Sequence, residues 1–135
     1  MAIEMITAPG ISGGQGLPNA SIASGSKTVY VAGQVSQDEN GDIVGAGDLA
    51  AQTEQALLNV LTVLEAAGAT FADVATTTMY VVDWSEEKVE QLFAGLGKVG
   101  EAKGSVPVGP TTLIPVPRLF VPEHLIEIQV TAVID

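Results

Sequence analysis

A glutamate near the end of the chain is the residue best suited to acid–base chemistry. Residues 125–134 alternate between a wholly apolar set and a mixed set, the pattern of a β-strand with two different faces. Glu127 belongs to the mixed set, with Gln129 and Thr131 on the same side. A carboxylate in such a position can orient a water molecule and carry its proton, a contribution of about 10²–10⁴-fold. The alternative is structural, with the carboxylate held by backbone N–H groups or by a threonine hydroxyl.

Other chemistry-bearing residues are few. The chain has no cysteine, which excludes a disulfide scaffold, a thiolate nucleophile and a sulfur-ligated zinc site. His124 is the single histidine, and its place after Pro122-Glu123 predicts an exposed turn rather than a catalytic role. A lone histidine without clustered carboxylates predicts that there is no transition-metal site.

Length and charge limit the kinds of partner that we expect. The 135 residues suit a single domain spanning 1–135, and 47% of them are hydrophobic, enough for a core. The formal net charge is −11, from 16 acidic and 5 basic residues that do not cluster. Such a surface repels phosphate backbones and anionic lipid, so we expect neither nucleic-acid nor membrane binding. The N-terminus shows no signal peptide, and we expect a cytoplasmic protein.

Two helices must position these residues. Asp48 is a predicted N-cap for a helix over residues 49–67, which Gly68 would end. Ser85 is predicted to cap a second helix. Its expected buried stripe has helical spacing and consists of Val89, Leu92, Phe93 and Leu96.

Extended segments account for most of the remaining chain. Strands are predicted over residues 27–32, 75–83 and 125–134, with a shorter one near 20–24. Asn40-Gly41 is a hairpin signal, and residues 42–44 would form the return strand. Residues 111–119 are predicted to form an outer strand or an irregular one, because two prolines there cannot donate to a ladder.

The order of these elements predicts an α/β (α+β) fold with about six strands in a mixed sheet and both helices on one face. The opposite face would carry Gln129, Thr131 and one side of residues 76–78. Solvated sheet faces usually carry lysine and glutamate, whereas these residues suit a packed face with hydrogen bonds. We infer that this face meets other subunits.

Several segments together resemble the YjgF/Rid family. Each is a weak match alone, but they occur in order, with similar spacing, over nearly the whole chain. They are residues 33–34 (GQ), 41–44 (GDIV), 52–60 (QTEQALLNV), 64–68 (LEAAG), 73–74 (DV), 80–83 (YVVD) and 125–133 (LIEIQVTAV).

The resemblance implies a chorismate-mutase-like fold and a homotrimer whose sheets face a central barrel, with ligand clefts between subunits. Family members of the best-known type hydrolyse 2-imino and 2-enamino acids to keto acids and ammonia, without a cofactor. An arginine clamps the substrate carboxylate there, and a glutamate on the last strand handles the attacking water. Glu127 aligns with that glutamate.

The sequence departs from the family pattern around the acid-binding pocket. Thr111 stands at the position of the arginine, or Pro110 if the alignment slips by one residue. Asn19 replaces a family tyrosine, and Ala32 replaces a family serine. Threonine offers one neutral hydroxyl and proline no donor, in place of a bidentate charged fork. We therefore expect 2-imino acids to be poor substrates.

Three further residues are candidates for binding a ligand, each with a structural alternative. Gly33 permits close backbone approach to a ligand, or forms a bulge. Thr112 offers a hydroxyl, but threonine is also an ordinary strand residue. Arg118 is the only arginine of the chain, and it matches a different arginine of the family. We expect it either to reach the cleft or to pair with an acidic neighbour.

Two functions remain open at this point. The first is a Rid-like hydrolase or deaminase acting on an imine, an enamine or a related small molecule without the usual carboxylate. The second is a non-catalytic trimeric module that binds a metabolite or a partner protein.

Overall fold

The computed structural model of the chain describes residues 2–12 and 16–135. Its strands and helices are β1 (Ala2–Ile6), β2 (Ala20–Ser24), β3 (Lys27–Val35), α1 (Leu49–Ala66), β4 (Val74–Val82), α2 (Val89–Lys103), β5 (Thr111–Val116) and β6 (Ile126–Ile134). Single 3₁₀ turns, Phe71–Asp73 and Glu86–Lys88, precede β4 and α2.

The strands form a mixed sheet and a separate hairpin. The main sheet has the order β3-β6-β4-β5, in which β6 is antiparallel to both of its neighbours and β4 is parallel to β5. Strands β1 and β2 form an antiparallel two-stranded sheet, joined to β4 by a hydrogen bond from Ser21 Oγ to the Ala75 carbonyl (2.6 Å). The expected α+β fold with two helices is confirmed, and its six strands divide into four and two.

Helix α1 covers the main sheet because its sequence is both capped and amphipathic. The Asp48 carboxylate accepts the Ala51 N–H (3.1 Å), as its N-cap position predicts. Gly68 takes a left-handed conformation (φ 83°) just beyond the helix. The apolar stripe of α1 meets the apolar face of β6, and each side chain fully buried there contributes about 1.5–3 kcal/mol. The fully buried residues of this contact are Ala56, Leu57, Val60, Leu64, Ile126, Ile128 and Ala132.

A buried glutamine attaches the start of β6 to α1. Gln52 is 0% exposed. Its Nε2 donates to the carbonyls of Gly45 (3.2 Å) and Glu123 (3.1 Å), and its Oε1 accepts the Leu125 N–H (2.8 Å). All of these partners are backbone groups, so the contact fixes the chain immediately before Glu127.

Helix α2 packs differently from the sequence prediction. Its buried residues are Leu92, Gly95 and Val99, whereas Phe93 is 47% exposed, so the expected stripe is wrong in part. The reason is that α2 packs closely on α1: a Cβ at Gly95 would lie 2.5 Å from the Ala50 carbonyl oxygen. The residues of the predicted stripe are consequently turned toward the space between α2 and the sheet.

Three other sequence expectations differ from the structure. His124 is 5% exposed, not part of an exposed turn. Residues 42–44 form no strand; Ile43 makes one isolated bridge to Gln37, because the glycines that follow at 45 and 47 have positive φ and turn the chain toward α1. Strand β1 has no counterpart among the predicted elements. This strand is defined by its antiparallel pairing with β2, and a short apolar segment does not by itself indicate which strand it pairs with.

The face of the sheet opposite the helices is open in the protomer. Tyr30 is 81% exposed and Ile114 38% exposed, and both lie on this face with Gln129. This is the face expected to meet other subunits. Over the described ranges, no helix is long and apolar enough to cross a membrane.

Candidate functional site

Glu127 lies on the open face of the sheet, at the second residue of β6. It is half-buried, between its register partners Val35 on β3 and Tyr80 on β4. Its neighbours along the strand, Ile126 and Ile128, are both fully buried on the helix side. The alternation of β6 therefore directs the carboxylate away from the protomer core, as the sequence predicted.

Gly33 makes room for the Glu127 side chain. The pairing of β3 with β6 shifts register between Val31 and Gln34, which places Gly33 in a bulge. A Cβ at Gly33 would lie 2.6 Å from Cδ and 2.8 Å from Cγ of Glu127, and would overlap a carboxylate oxygen. The carboxylate therefore lies across the glycine backbone. Ala32, next to it, is exposed, and its carbonyl accepts a bond from the Gln34 side chain (2.9 Å).

Thr111 lies on the opposite side of the sheet from Glu127. Its register partner on β4 is Thr77, which is 2% exposed on the helix-covered face. The Thr111 hydroxyl donates to the Gly109 carbonyl (3.0 Å), and the Pro110 carbonyl accepts the Thr77 N–H (3.0 Å). Within one protomer, Thr111 and Glu127 therefore do not face the same space.

Beneath Thr111 is an apolar cavity of about 630 Å³, between α2 and the β4–β5 part of the sheet. Among the described residues that line it, none is charged and the only hydroxyls belong to Thr77 and Thr111. The lining residues are Leu17, Leu57, Thr77, Met79, Trp84, Val89, Leu92, Phe93, Leu96, Gly97, Gly100, Val106, Pro107, Val108, Thr111 and Leu113.

The remaining predicted residues lie apart from this cavity. Thr112 is exposed on the open face, paired with Thr78. Asn19 is exposed, and its side chain accepts the Ala8 N–H (2.8 Å) next to the β1–β2 hairpin. Neither side chain lines the cavity.

Arg118 is bound to its own loop. It is exposed, with Nε donating to the Leu119 carbonyl and Nη2 to the Phe120 carbonyl, both at 3.1 Å. The guanidinium therefore binds two backbone carbonyls, rather than the acidic neighbour that the sequence suggested. These bonds hold the guanidinium away from the cavity lining.

Sequence reasoning missed Thr77, the buried polar residue of the cavity. Its hydroxyl has no hydrogen-bond partner in the described part of the chain. The available signal was its position: it is a hydroxyl in the otherwise apolar β4 set that includes Met79 and Val81. The cavity itself depends on how far α2 stands from the sheet, which side-chain periodicity does not encode.

No group of three or more His, Asp or Glu residues within 2–12 and 16–135 is arranged to hold a metal ion.

The fold has counterparts among known proteins. The profile of the family described as "Endoribonuclease L-PSP" matches residues 19–134. The chain belongs to the YjgF/Rid family. A protein of unknown function of the conserved Rid family, YyfB from Yersinia pestis, is 35% identical, with a TM-score of 0.86 over 99% of this chain and 100% of its own.

Two further relatives extend the comparison. The 3-aminoacrylate deaminase RutC of Acinetobacter baylyi is 37% identical over 67 residues, which span 49% of this chain and only about half (53%) of RutC. E. coli TdcF, solved with bound serine, shares the fold, with a TM-score of 0.69 and 23% identity over 100% of this chain and 99% of its own.

Proposed function

We propose that this Rid-family protein hydrolyses an imine, an enamine or a related reactive small molecule without a carboxylate, in a cleft between two protomers of a homotrimer. The observation that carries the proposal is the placement of Glu127 and Thr111 on opposite faces of one sheet. One cleft that contains both must combine the open face of one copy with the cavity mouth of another. The exposed Tyr30 and Ile114 supply an apolar surface for that association.

The reaction needs one carboxylate and a water molecule. Glu127 takes a proton from water as the oxygen bonds to the imine carbon and the C=N π electrons move to nitrogen. That proton passes from Glu127 to the nitrogen and gives a carbinolamine. Glu127 then takes the hydroxyl proton of the carbinolamine and delivers it to the nitrogen, as the C–N bond breaks and the carbonyl forms. The balance is one imine and one water giving one carbonyl compound and one ammonia. An enamine first takes a proton at carbon to become the imine. The deaminase relative supports this class of chemistry.

The lack of a cation argues for a substrate that is not an acid. By the family resemblance, Thr111, or Pro110 after a one-residue slip, stands at the position of the carboxylate-binding arginine. The guanidinium of Arg118 is engaged by two carbonyls of its own loop. A desolvated carboxylate without a charged partner is costly to bind. The family description also names endoribonucleases, but a net charge of −11 disfavours binding to a phosphate backbone.

A matched pair of imines tests the proposal. An amine oxidase acting on 3-methylbutylamine generates an aldimine, and an amino-acid oxidase acting on leucine generates a 2-imino acid with the same alkyl group. We expect the protein to accelerate hydrolysis of the aldimine, measured as reduced trapping by semicarbazide, and to act at least tenfold less on the imino acid. Equal or faster turnover of the imino acid would contradict the substrate assignment.

Glu127→Gln tests the catalytic role. It keeps the size of the side chain but removes the base, so we expect a loss of about 10²–10⁴-fold in turnover. Sedimentation of the variant, compared with wild type, controls for assembly. Unchanged turnover with unchanged assembly would rule out this role and favour the non-catalytic metabolite- or protein-binding module.

Gly33→Ala tests the position of the carboxylate. The new Cβ meets the flexible end of Glu127 rather than backbone, so the fold can accommodate it while the carboxylate moves. A displacement on the order of 1 Å can cost about 10²-fold in rate. We expect that loss with a free energy of unfolding within about 1 kcal/mol of wild type. Full activity in this variant would show that the observed carboxylate position is not the working one.

A further inference from the structure

A phenol hydroxyl lies beside the candidate base on the open face of the sheet. Tyr80 on β4 is the register partner of Glu127 on β6, in an antiparallel pair. Side chains of residues paired in this way project from the same face, with Cβ atoms about 4.5–5.5 Å apart. Both residues are half-buried, so neither side chain is enclosed in the protomer core. The proposed hydrolysis uses the carboxylate alone and gives this hydroxyl no role.

The two residues form the centre of a row that crosses the four strands of the main sheet. The neighbour of Tyr80 on β5 is Ile114, which is 38% exposed. On the other side, the bulge of β3 presents Gly33, and the Glu127 carboxylate lies across that glycine. The row therefore runs from an apolar side chain, through a phenol and a carboxylate, to bare backbone. A small molecule lying along it would place its hydrocarbon part against Ile114 and its polar atoms between Tyr80 and Glu127.

The Tyr80 hydroxyl is only weakly engaged in the protomer. Its one partner among the described residues is the side-chain carbonyl oxygen of Gln129, and the two oxygens are 3.4 Å apart. Hydroxyl donors usually lie about 2.5–3.0 Å from an oxygen acceptor, so this hydrogen bond is long. Gln129 is exposed and lies two residues beyond Glu127 on the same face. The phenol proton can therefore turn from Gln129 to an acceptor beside Glu127 with little loss of hydrogen-bond energy.

Imine hydrolysis requires a hydrogen-bond donor at this place. As water adds to the carbon, the C=N π electrons move onto nitrogen, which becomes a strong acceptor before its proton arrives. Glu127 cannot donate at that moment, because it is taking the proton of the water. Donors fixed where charge develops in a transition state act mainly on the rate, and removal of one typically costs about 10²–10³-fold in kcat. A neutral hydroxyl next to the carboxylate supplies the missing donor.

We propose that the Tyr80 hydroxyl donates a hydrogen bond to the substrate nitrogen while Glu127 takes the proton of the attacking water. This assignment rests on the proposed hydrolase function and adds a second catalytic residue to its site. No proton leaves Tyr80, so the proton transfers through Glu127 and the overall balance are unchanged. The substrate nitrogen must carry a free lone pair, which a neutral imine has and an iminium ion lacks.

Tyr80→Phe tests this role by removing one oxygen and keeping the ring. With the aldimine from 3-methylbutylamine, we expect kcat to fall about 10²-fold and KM to rise at most about fivefold, because the nitrogen is a better acceptor in the transition state. Thr131→Val is the matched control. It removes another hydroxyl from the same face, four residues and therefore about 13 Å from Glu127 along β6, and should leave both constants unchanged. Sedimentation of both variants, compared with wild type, controls for assembly.

A stable C=N compound tests the contact without turnover. 3-Methylbutanal O-methyloxime has the same alkyl group and a nitrogen acceptor, but it persists through a binding titration. Protein NMR follows the titration, because this method measures weak binding. We expect wild type to bind the oxime and Tyr80→Phe to bind it about fivefold more weakly, the typical effect of one hydrogen bond, while Thr131→Val binds it as wild type does.

The two assays separate this inference from the proposed function. Glu127-dependent turnover that Tyr80→Phe leaves unchanged, or lowers no more than Thr131→Val does, would refute the role of Tyr80 and leave the hydrolase standing. Oxime binding that depends on Tyr80, without Glu127-dependent turnover, would support the contact and refute the hydrolase. If neither turnover nor Tyr80-dependent oxime binding is found, both proposals are overturned.

Discussion

The unpaired hydroxyl of Thr77 leads to an unusual prediction, that removing a polar group from the core beside the cavity stabilises the protein. Threonine and valine have nearly the same shape, so Thr77→Val exchanges a buried hydroxyl for a methyl without opening a hole. Thr77 is 2% exposed, and its buried hydroxyl makes no hydrogen bond among the described residues, so on folding the hydroxyl loses its hydration without gaining a partner.

The size of the effect follows from that loss. Burial of an unsatisfied hydroxyl costs about 1–3 kcal/mol, and the incoming methyl adds a transfer gain below about 1 kcal/mol because it faces a cavity. We expect Thr77→Val to raise the free energy of unfolding by about 1–2 kcal/mol. For a chain of this length the midpoint of thermal unfolding would rise by about 3–6 °C.

Urea denaturation at a fixed protein concentration measures this change, because assembly makes apparent stability concentration-dependent. Protein refolded from denaturant should be used, so that no copurified ligand is present. Thr53→Val, with a hydroxyl that is 0% exposed and also unpartnered, should gain a similar amount. The reasoning is refuted if Thr77→Val unfolds at a lower urea concentration than wild type while its m-value is unchanged.

Two further predictions concern the framework of the site. Gln52→Leu removes three hydrogen bonds and leaves the Glu123 carbonyl and the Leu125 N–H without the glutamine, whereas the Gly45 carbonyl still accepts the Asp48 N–H; it should lower the free energy of unfolding by about 2–3 kcal/mol in urea melts. Gln55→Leu, which loses one side-chain bond, should cost under about 1 kcal/mol. Gly95→Ala forces a Cβ to 2.5 Å from the Ala50 carbonyl oxygen and should cost about 1–3 kcal/mol. Gly97→Ala meets nothing within 4 Å on the same helix and should gain about 0.5–1 kcal/mol by its helix propensity. Calorimetry or denaturant melts compare the two variants of each pair. Equal changes in the free energy of unfolding for both glutamine variants, or for both glycine variants, would contradict the packing of α1 against β6 or against α2.

Helix-capping and strand-alternation patterns, which lie within a single element, correctly predicted α1 and β6. Asp48 caps α1 where its short carboxylate suggested, and the alternation of residues 125–134 correctly separated Glu127 from the buried isoleucines. The family resemblance, spread over many weak segments, identified the fold. These features depend on spacing along one element or on a pattern shared by relatives.

Features that depend on the packing of one element against another could not be predicted from the sequence. The stripe of α2 was mispredicted because Gly95, which has no side chain to signal packing, decides which face touches α1. His124 lies in the loop before β6 and is buried although no periodic pattern marks it. The same limit applies to Thr77: Ala75 and Met79, two positions away along β4, are apolar, but the missing hydrogen-bond partner of Thr77 is visible only in three dimensions.

The outermost strand has a consequence for self-association. Strand β5 is an edge of the main sheet, and Pro115 in its middle supplies no N–H. A strand from another molecule that tried to extend the sheet at this edge would meet a gap in the ladder of donors. We therefore expect the proline to disfavour fibril growth by edge-to-edge pairing at β5.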